Sequence, residues 1–222
     1  MLPSNKASLV IDGSGSKVFA GILDAENRWL VKLERDGSPL EELFSVIKAV
    51  LTESGLSLTE IGSYIYCMGP GSVLGLRLCA MAIETWAILY PETAQYYKYN
   101  SLQLSAYALL HAKPDLQDAL IVADWKKGAW NALYLRGRRV GATEVIDDAS
   151  LDKWGNLIYH LPQRKSWQGP PNKVQTLRYD PSILDAIRNA DGLLQITDHI
   201  DLYSSGINTF KKWTPTRHRA QT

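Results

Sequence analysis

The chain has 222 residues, 45% hydrophobic and 21% charged, which is the composition of a globular protein with room for one large core or two small ones. Its 24 basic and 23 acidic residues give a formal net charge of +1, which excludes a global field that would draw the protein to nucleic acid or to an anionic membrane. The N-terminal apolar run is too short for a signal peptide and no window reaches the length of a membrane span, so we expect a cytoplasmic protein.

The first half of the chain predicts a compact α/β unit. Short β-rich runs separated by turn compositions predict a three-stranded meander over residues 7–12, 17–23 and 28–34. The elements expected to follow are a helix over residues 39–54, a strand over 63–68, a helix over 74–89, a strand over 94–99 and a helix over 101–112 with Ser101 as its N-cap. The predicted order is βββαβαβα.

The first predicted helix has two distinct faces. The residues expected to face the core recur at the spacing of one helix face and are Leu40, Leu43, Phe44, Ile47, Val50 and Leu51. The remaining stripe is small and slightly acidic and comprises Glu42, Ser45, Val46, Ala49 and Glu53. Small side chains would let another helix approach this stripe closely, although a solvated face explains it equally simply.

The second predicted helix is apolar on nearly all sides. Its charged residues from Leu74 onward are Arg77 and Glu84, which are seven apart, with Met81 and Ile88 beside them. A helix of this kind is buried against more than its own sheet. It is either a central helix between two lobes or part of an interface with another protein.

The strand pattern then restarts. A second meander is predicted over residues 120–125, 130–135 and 138–145, and Asp124 ends its first strand as Asp12 ends that of the first meander. A short helix over 149–154, a strand over 156–161, a loop over 162–181 and a helix over 182–190 complete a reduced copy. We therefore predict a duplicated α/β unit with lobes at residues 1–100 and 101–210 and a basic tail at 211–222.

Several of these motifs resemble the TsaB (YeaZ) family over roughly residues 7–136. The turn before the second helix keeps the family's GPGS-type pattern at Gly69, Pro70, Gly71, Ser72, Gly75 and Arg77. The second meander keeps Asp124, Lys127 and Gly128. The chain departs from the pattern at Val73, Leu74 and Trp125, where the family usually has Phe, Thr and a small residue.

The resemblance implies an actin-like, two-lobed fold and a non-catalytic role in making threonylcarbamoyladenosine next to the tRNA anticodon. The implied partner is a TsaD-type catalytic subunit, and a TsaE-type ATPase is a further candidate. The resemblance also implies that the chain forms a homodimer when alone and contacts tRNA only indirectly. No cofactor is implied, although a nucleotide at a subunit interface stays open. The implied partner interface comprises Glu42, Val46, Ala49, Arg77, Met81, Glu84 and Ile88.

The residues themselves argue against chemistry by this chain alone. The histidines, His111, His160, His199 and His218, are never close enough in sequence to place two ligands one helical turn apart. Cys67 and Cys79 lack metal-site spacing and are expected to be buried thiols. We therefore expect no metal site.

A kinase of this fold would need backbone groups at both meander turns to approach a phosphate. The first turn, DGSGS, meets that need, whereas Trp125 in the second turn, DWKKG, is expected to obstruct a nonfunctional cleft. The GPGS turn does not match a phosphate-binding motif, but a helix N-terminus still attracts anions. A vestigial nucleotide or anion site would comprise Asp12, Ser14, Gly69, Gly71, Ser72, Asp124 and Lys127.

Two alternative functions stay open on the sequence. One is an ATP-dependent small-molecule kinase of the actin-like superfamily. The other is direct contact with tRNA, because basic and aromatic residues are interleaved in the tail and the long loop. These residues are Lys211, Lys212, Trp213, Arg217, His218 and Arg219 in the tail, and Arg164, Lys165, Trp167, Lys173, Arg178 and Tyr179 in the loop.

Overall fold

The structure is a computed structural model that describes residues 6–90, 95–162, 169–170 and 173–204. Its helices are α1 (Pro39–Ser54), α2 (Val73–Leu89), α3 (Ser101–Ala112), α4 (Asp148–Asp152) and α5 (Leu184–Ile187). Its strands are β1 (Ala7–Asp12), β2 (Lys17–Leu23), β3 (Trp29–Asp36), β4 (Ile61–Gly69), β5 (Gln95–Asn100), β6 (Ala119–Lys126), β7 (Ala129–Arg136), β8 (Arg139–Asp147), β9 (Leu157–Leu161), β10 (Gln175–Thr176) and β11 (Gln195–Thr197). The predicted basic tail lies outside the described residues.

Two sheets in the described part of the chain share one strand order. The first sheet runs β11-β5-β4-β1-β2-β3 and the second runs β10-β9-β6-β7-β8. In each sheet the first strand of the unit is antiparallel to the second and parallel to the fourth: β1 with β2 and β4, and β6 with β7 and β9. The predicted duplication is confirmed, and Asp12 and Asp124 take corresponding places near the ends of β1 and β6.

Helices cover the first sheet on both faces. α1 packs on β2 and β3, while α2 packs on β4 and β1. The opposite face carries Leu104 of α3 together with Leu184, Ile187 and Leu193. α3 also packs against the second sheet through Leu102, Ala106 and Leu109, so it lies between the two sheets and joins their cores.

The face of the second sheet that does not pack on α3 is covered by shorter elements. On this face Leu151 from the short helix α4, Trp154 and Val174 pack against sheet residues that include Trp130 and Tyr134 of β7. Tyr134 and Trp154 meet edge to face with their ring centroids 5.1 Å apart. The reduced second copy predicted from the sequence is therefore seen as short elements and aromatic packing in place of long helices.

The orientation of α1 differs from the prediction. Its buried residues are Leu43, Val46, Ile47 and Val50, whereas Leu40 is 64% exposed and Phe44 is 58% exposed. Placing Leu40 and Phe44 in the core was wrong. The two apolar stripes share Leu43, Ile47 and Val50, so the helical period alone does not distinguish them, and the sheet selects the stripe that contains Val46.

The cap of α3 also differs from the prediction. Asn100, not Ser101, accepts hydrogen bonds from the backbone N–H groups of Leu102 and Gln103, at 2.9 and 3.2 Å. The same Asn100 oxygen accepts a hydrogen bond from the Thr143 hydroxyl at 3.1 Å. Because Thr143 lies on β8, this cap links the second sheet to the end of β5.

After the second sheet the chain returns to the first. A 3₁₀ turn at Pro181–Ile183 and the short helix α5 stand where a longer helix was predicted, and β11 pairs antiparallel with β5. Beyond β11, the Asp201 carboxylate accepts hydrogen bonds from Lys98 at 2.7 and 2.8 Å, and the Tyr203 N–H donates to the Met68 carbonyl. No helix in the described residues is long and apolar enough to cross a membrane.

The turn between β1 and β2 is packed tightly against the start of α2. The Ser72 N–H donates to the Ser14 carbonyl at 2.8 Å, and Ser72 caps α2 by accepting from the Gly75 N–H at 3.4 Å. A Cβ atom on Gly75 would lie 1.9 Å from the Gly13 carbonyl oxygen. Glycine at position 75 therefore permits a close approach of backbone to backbone.

This packing predicts that Gly75→Ala destabilises the protein, because the added methyl group would force the turn and the helix apart. We expect a loss of about 2–3 kcal/mol in the free energy of unfolding, measured by urea denaturation. Gly155→Ala is the matched control, since a Cβ there meets nothing within 4 Å, and it should change stability little. Equal stability of the two variants would contradict the close approach.

Candidate functional site

The carboxylate of Asp12 is buried, and both of its oxygens accept hydrogen bonds from groups of the protein. Its Oδ1 accepts the Ser14 N–H at 2.7 Å. Its Oδ2 accepts two phenol hydroxyls, those of Tyr99 and Tyr179, each at 2.5 Å. Tyr99 comes from β5 and Tyr179 from the segment that follows β10, so groups distant in sequence converge on one oxygen.

Burial and the nearby Asp12 charge raise the pKa of the Tyr99 and Tyr179 phenols well above their ordinary range. Both phenols therefore keep their protons and act as donors at any ordinary pH. Burial likewise raises the pKa of the Cys67 thiol, whose sulfur lies 3.6 Å from the Tyr179 hydroxyl. Cys67 is thus an unreactive buried thiol, not a nucleophile.

Tyr179 lies over the first meander turn. A Cβ atom on Gly15 would be 3.3 Å from Cδ1 of the Tyr179 ring, so the ring rests on the glycine backbone. This is the surface that a phosphate would need to approach if the turn bound one. The side chain that occupies the first turn is therefore Tyr179.

The second aspartate is engaged in a separate cluster. Asp124 is buried, and its Oδ1 lies 2.9 Å from His160 Nε2. The Asn131 side-chain amide donates to the Asp124 carbonyl at 3.1 Å, and the His160 ring meets Trp130 edge to face at 5.8 Å. Asp124 is thus part of the packing of the second sheet.

Trp125, the residue predicted to obstruct the second turn, lies near the end of β6. Trp125 is half-buried in the β6–β7 region with the Lys126 ammonium 4.3 Å from its ring centroid. Tyr179 covers the first turn and His160 engages Asp124. The contacts of Tyr179 and His160 add to the obstruction predicted at Trp125, which stays a prediction.

The residues predicted for an anion site separate into two groups. Ser14, Gly71 and Ser72 meet, since a Cβ on Gly71 would lie 2.5 Å from the Ser14 carbonyl oxygen that accepts the Ser72 N–H. Gly69 directly precedes them with a φ of +111°, a conformation that favours glycine. Asp124 and the exposed Lys127 lie on the second sheet. The start of α2 therefore faces the backbone of the first turn.

A small cavity of about 190 Å³ remains beside Asp12. Charged side chains at the rim of this cavity pair with one another. Lys17 binds Glu34 at 2.8 Å, and Arg178 lies 3.9 Å from the same carboxylate. The described residues contain no cluster of three or more His, Cys, Asp or Glu side chains that could hold a metal ion. Arg164, Lys165, Trp167 and the basic tail lie outside the described residues.

The predicted partner interface is exposed on α2. Arg77 and Glu84 are exposed, Met81 is 60% exposed and Ile88 is 80% exposed. Leu74 is also exposed, and Leu74, Met81 and Ile88 are spaced by seven residues, which aligns them along one side of the helix. This surface is called the α2 face below.

The α1 part of the predicted interface needs correction. Val46 is fully buried, so including it was wrong, for the same reason that Leu40 and Phe44 are exposed. Glu42 and Ala49 are half-buried, and Glu42 lies 3.5 Å from Arg35. The apolar surface that α1 offers beside α2 is formed by Leu40 and Phe44, which could have been found by weighing both apolar stripes.

An open apolar groove of about 520 Å³ continues this surface toward the end of α1. Trp86 of α2 contributes one wall. The remaining lining residues are Phe44, Ile47, Lys48, Leu51, Thr52, Gly55, Leu56 and Leu58.

No protein-family model matches the sequence, and no curated protein matches it. Two solved structures from Pseudomonas aeruginosa are similar: YeaZ, and an uncharacterized protein described as similar to peptidase YeaZ. Each has a TM-score of 0.56 and 15% sequence identity, over 70% of this chain and 75% of the other. The likeness shows the fold, and it confirms the predicted two-lobed, actin-like fold class.

The Asp12 cluster predicts unequal effects for two identical substitutions on β5. Tyr99→Phe removes a hydrogen bond to a buried carboxylate and should lower the free energy of unfolding by about 1.5–3 kcal/mol. Tyr97→Phe is the control, because its hydroxyl bonds a neutral, partly buried amide oxygen of Gln95, and it should cost about 1 kcal/mol or less. Urea denaturation measures both, and equal losses would contradict the role given to Asp12.

Proposed function

We propose that this chain is a TsaB (YeaZ)-type scaffold subunit that acts by pairing with a TsaD-type catalytic subunit in tRNA threonylcarbamoyladenosine formation. The observation that carries the proposal is the α2 face, where Leu74, Met81 and Ile88 are exposed along one side of a helix whose other side is buried in the core. The likeness of fold to YeaZ and the GPGS-type turn at the start of the same helix support it. In the absence of the catalytic subunit, a second copy of the chain would cover the same face.

The α2 face has the chemistry of a helix-pairing surface. Leu74, Met81 and Ile88 supply exposed apolar area, and large exposed apolar side chains grouped on one surface are typical of contact sites. Arg77 and Glu84 lie along the same side and would orient a partner through charge pairs. The exposed Leu40 and Phe44 on α1 would extend the contact sideways.

The filled cleft supports a role without chemistry of its own. Asp12, which would face a nucleotide in a working cleft, already has three protein donors, and Asp124 is held by His160. A ligand in the neighbouring cavity would have to replace one of these hydrogen bonds to bind the Asp12 carboxylate. An ATP-dependent kinase is therefore the weaker alternative, and any nucleotide in the complex is better placed at the contact between subunits.

Substituting the centre of the α2 face should prevent association. Met81→Asp places a charge in the middle of the apolar line and should weaken pairing with a TsaD-type subunit, or with a second copy, by at least about 2 kcal/mol, roughly 30-fold in Kd. Analytical ultracentrifugation and calorimetry measure the change. Circular dichroism and Tm should stay close to those of the wild type, because Met81 is exposed.

Ile196→Asp is the control for this experiment. Ile196 is exposed to a similar extent, at 63%, but lies on the edge strand β11, whereas α2 packs on β4 and β1. It should leave association unchanged. If Met81→Asp pairs as tightly as Ile196→Asp, the α2 face is not the docking surface.

The purified chain alone should neither hydrolyse ATP measurably nor modify tRNA, because the groups that would bind a nucleotide in the cleft are already bonded. Modification of tRNA should require addition of a TsaD-type subunit. Phosphate release and mass spectrometry of digested tRNA provide the two assays. Robust ATP turnover by the chain alone that is lost in Asp12→Ala would favour the kinase instead.

A further inference from the structure

The segment of residues 175–182, called here the crossing segment, connects the two sheets. Its start is held by the second sheet, where β10 runs parallel to β9 and the Leu177 N–H donates to the His160 carbonyl at 2.7 Å. Its end is held by the first sheet, where the Ser182 carbonyl accepts a hydrogen bond from the Trp29 indole at 2.8 Å. Tyr179 lies midway between these two anchors.

Tyr179 contacts the first sheet through the turn that carries Asp12. Its hydroxyl donates to Asp12 at 2.5 Å and its ring covers Gly15. On the far side of the same turn, the Ser14 carbonyl accepts the Ser72 N–H, and the Gly13 backbone meets Gly75. The turn is therefore held between the crossing segment and the first turn of α2.

The first turn of α2 also positions α1. A Cβ atom on Gly75 would lie 3.1 Å from Cγ of Pro39, the first residue of α1. Both α1 and α2, the helices that present exposed apolar residues, therefore begin close to the turn that carries Asp12. Tyr179 contacts the other side of this turn. A displacement of this turn would move Leu40 on α1 and Leu74 on α2 relative to one another.

We infer that Tyr179 is a positioning residue that couples the crossing segment to the α2 face: while its hydroxyl and ring hold the Asp12 turn, the starts of α1 and α2 are fixed for docking. When the crossing segment lifts, the turn loosens and docking weakens. The coupling is reciprocal, so a bound partner should in turn hold the crossing segment closed. This inference rests on the proposed function only in taking the α2 face as the docking surface.

The arrangement favours a local effect over general core stabilisation. Tyr179 lies at the edge of the cores and is only half-buried as a whole residue, while its hydroxyl reaches a fully bonded carboxylate. The strand pairing of the crossing segment is short, since β10 is two residues long. Short, weakly paired segments of this kind open at lower free energy than sheet cores.

Hydrogen exchange on the full chain tests the coupling directly, because the Ser72 N–H is the atom bonded to Ser14. Tyr179→Ala should speed exchange across residues 72–76 at least tenfold while leaving β6 and β7 unchanged, and should weaken association at least tenfold. Tyr179→Phe keeps the ring and should give a smaller change of about threefold. Added p-cresol should restore slow exchange in Tyr179→Ala by refilling the space beside Asp12, as apolar cavities accept aromatic molecules of matching size.

Tyr107→Phe is the matched control. Its hydroxyl donates at 2.5 Å to the Asp191 carbonyl, away from the Asp12 turn, so exchange at residues 72–76 should not change. Unchanged exchange at residues 72–76 in both Tyr179 variants, or a uniform rise over the whole chain without rescue by p-cresol, would overturn the inference. If exchange responds as expected but Met81→Asp leaves association intact, the coupling stands and the proposed docking surface fails.

Discussion

The hydrogen bonds at Asp12 join three parts of the molecule that are far apart in sequence. Its carboxylate receives the Ser14 amide of its own turn, Tyr99 of the neighbouring strand and Tyr179 of the crossing segment. A buried carboxylate without such donors would cost several kcal/mol. Because the Ser14 carbonyl of the same turn also accepts the Ser72 N–H, this one carboxylate is linked to the start of α2 as well as to the crossing segment.

The position of Asp12 is consistent with the proposed scaffold role. In this architecture the two meander turns are the natural place for a phosphate, since their backbone N–H groups can approach a ligand. Here the first turn is covered by Tyr179 and closed on its other side by Gly71 and Ser72. Seven of the ten large apolar side chains that are exposed in the described residues lie on α1 and α2, which supports the proposed association.

The duplicated unit could be predicted because strand alternation and the two terminal aspartates are local signals. Two units with the same fold are then expected to have the same strand order. The sequence does not predict which side of α1 is buried. Leu40, Phe44 and Val46 all fit apolar stripes of the same period, and only packing on the sheet distinguishes these stripes. Tyr179 was considered only as a tRNA contact, because its bond to Asp12 spans 167 residues and no local pattern in a proline-rich loop indicates such a bond. Strand β11 was missed because three residues are too few to show a strand period.

The oxidation rate of Met81 by hydrogen peroxide tests the central claim most directly. Met81 is exposed on the α2 face, whereas Met68 is half-buried in β4 and serves as the internal reference in the same chain. Mass spectrometry should show Met81 oxidised faster than Met68 in the dilute chain, and at least tenfold more slowly once a TsaD-type subunit or a second copy is bound. An unchanged rate at Met81 in a complex shown to be formed would contradict docking through α2.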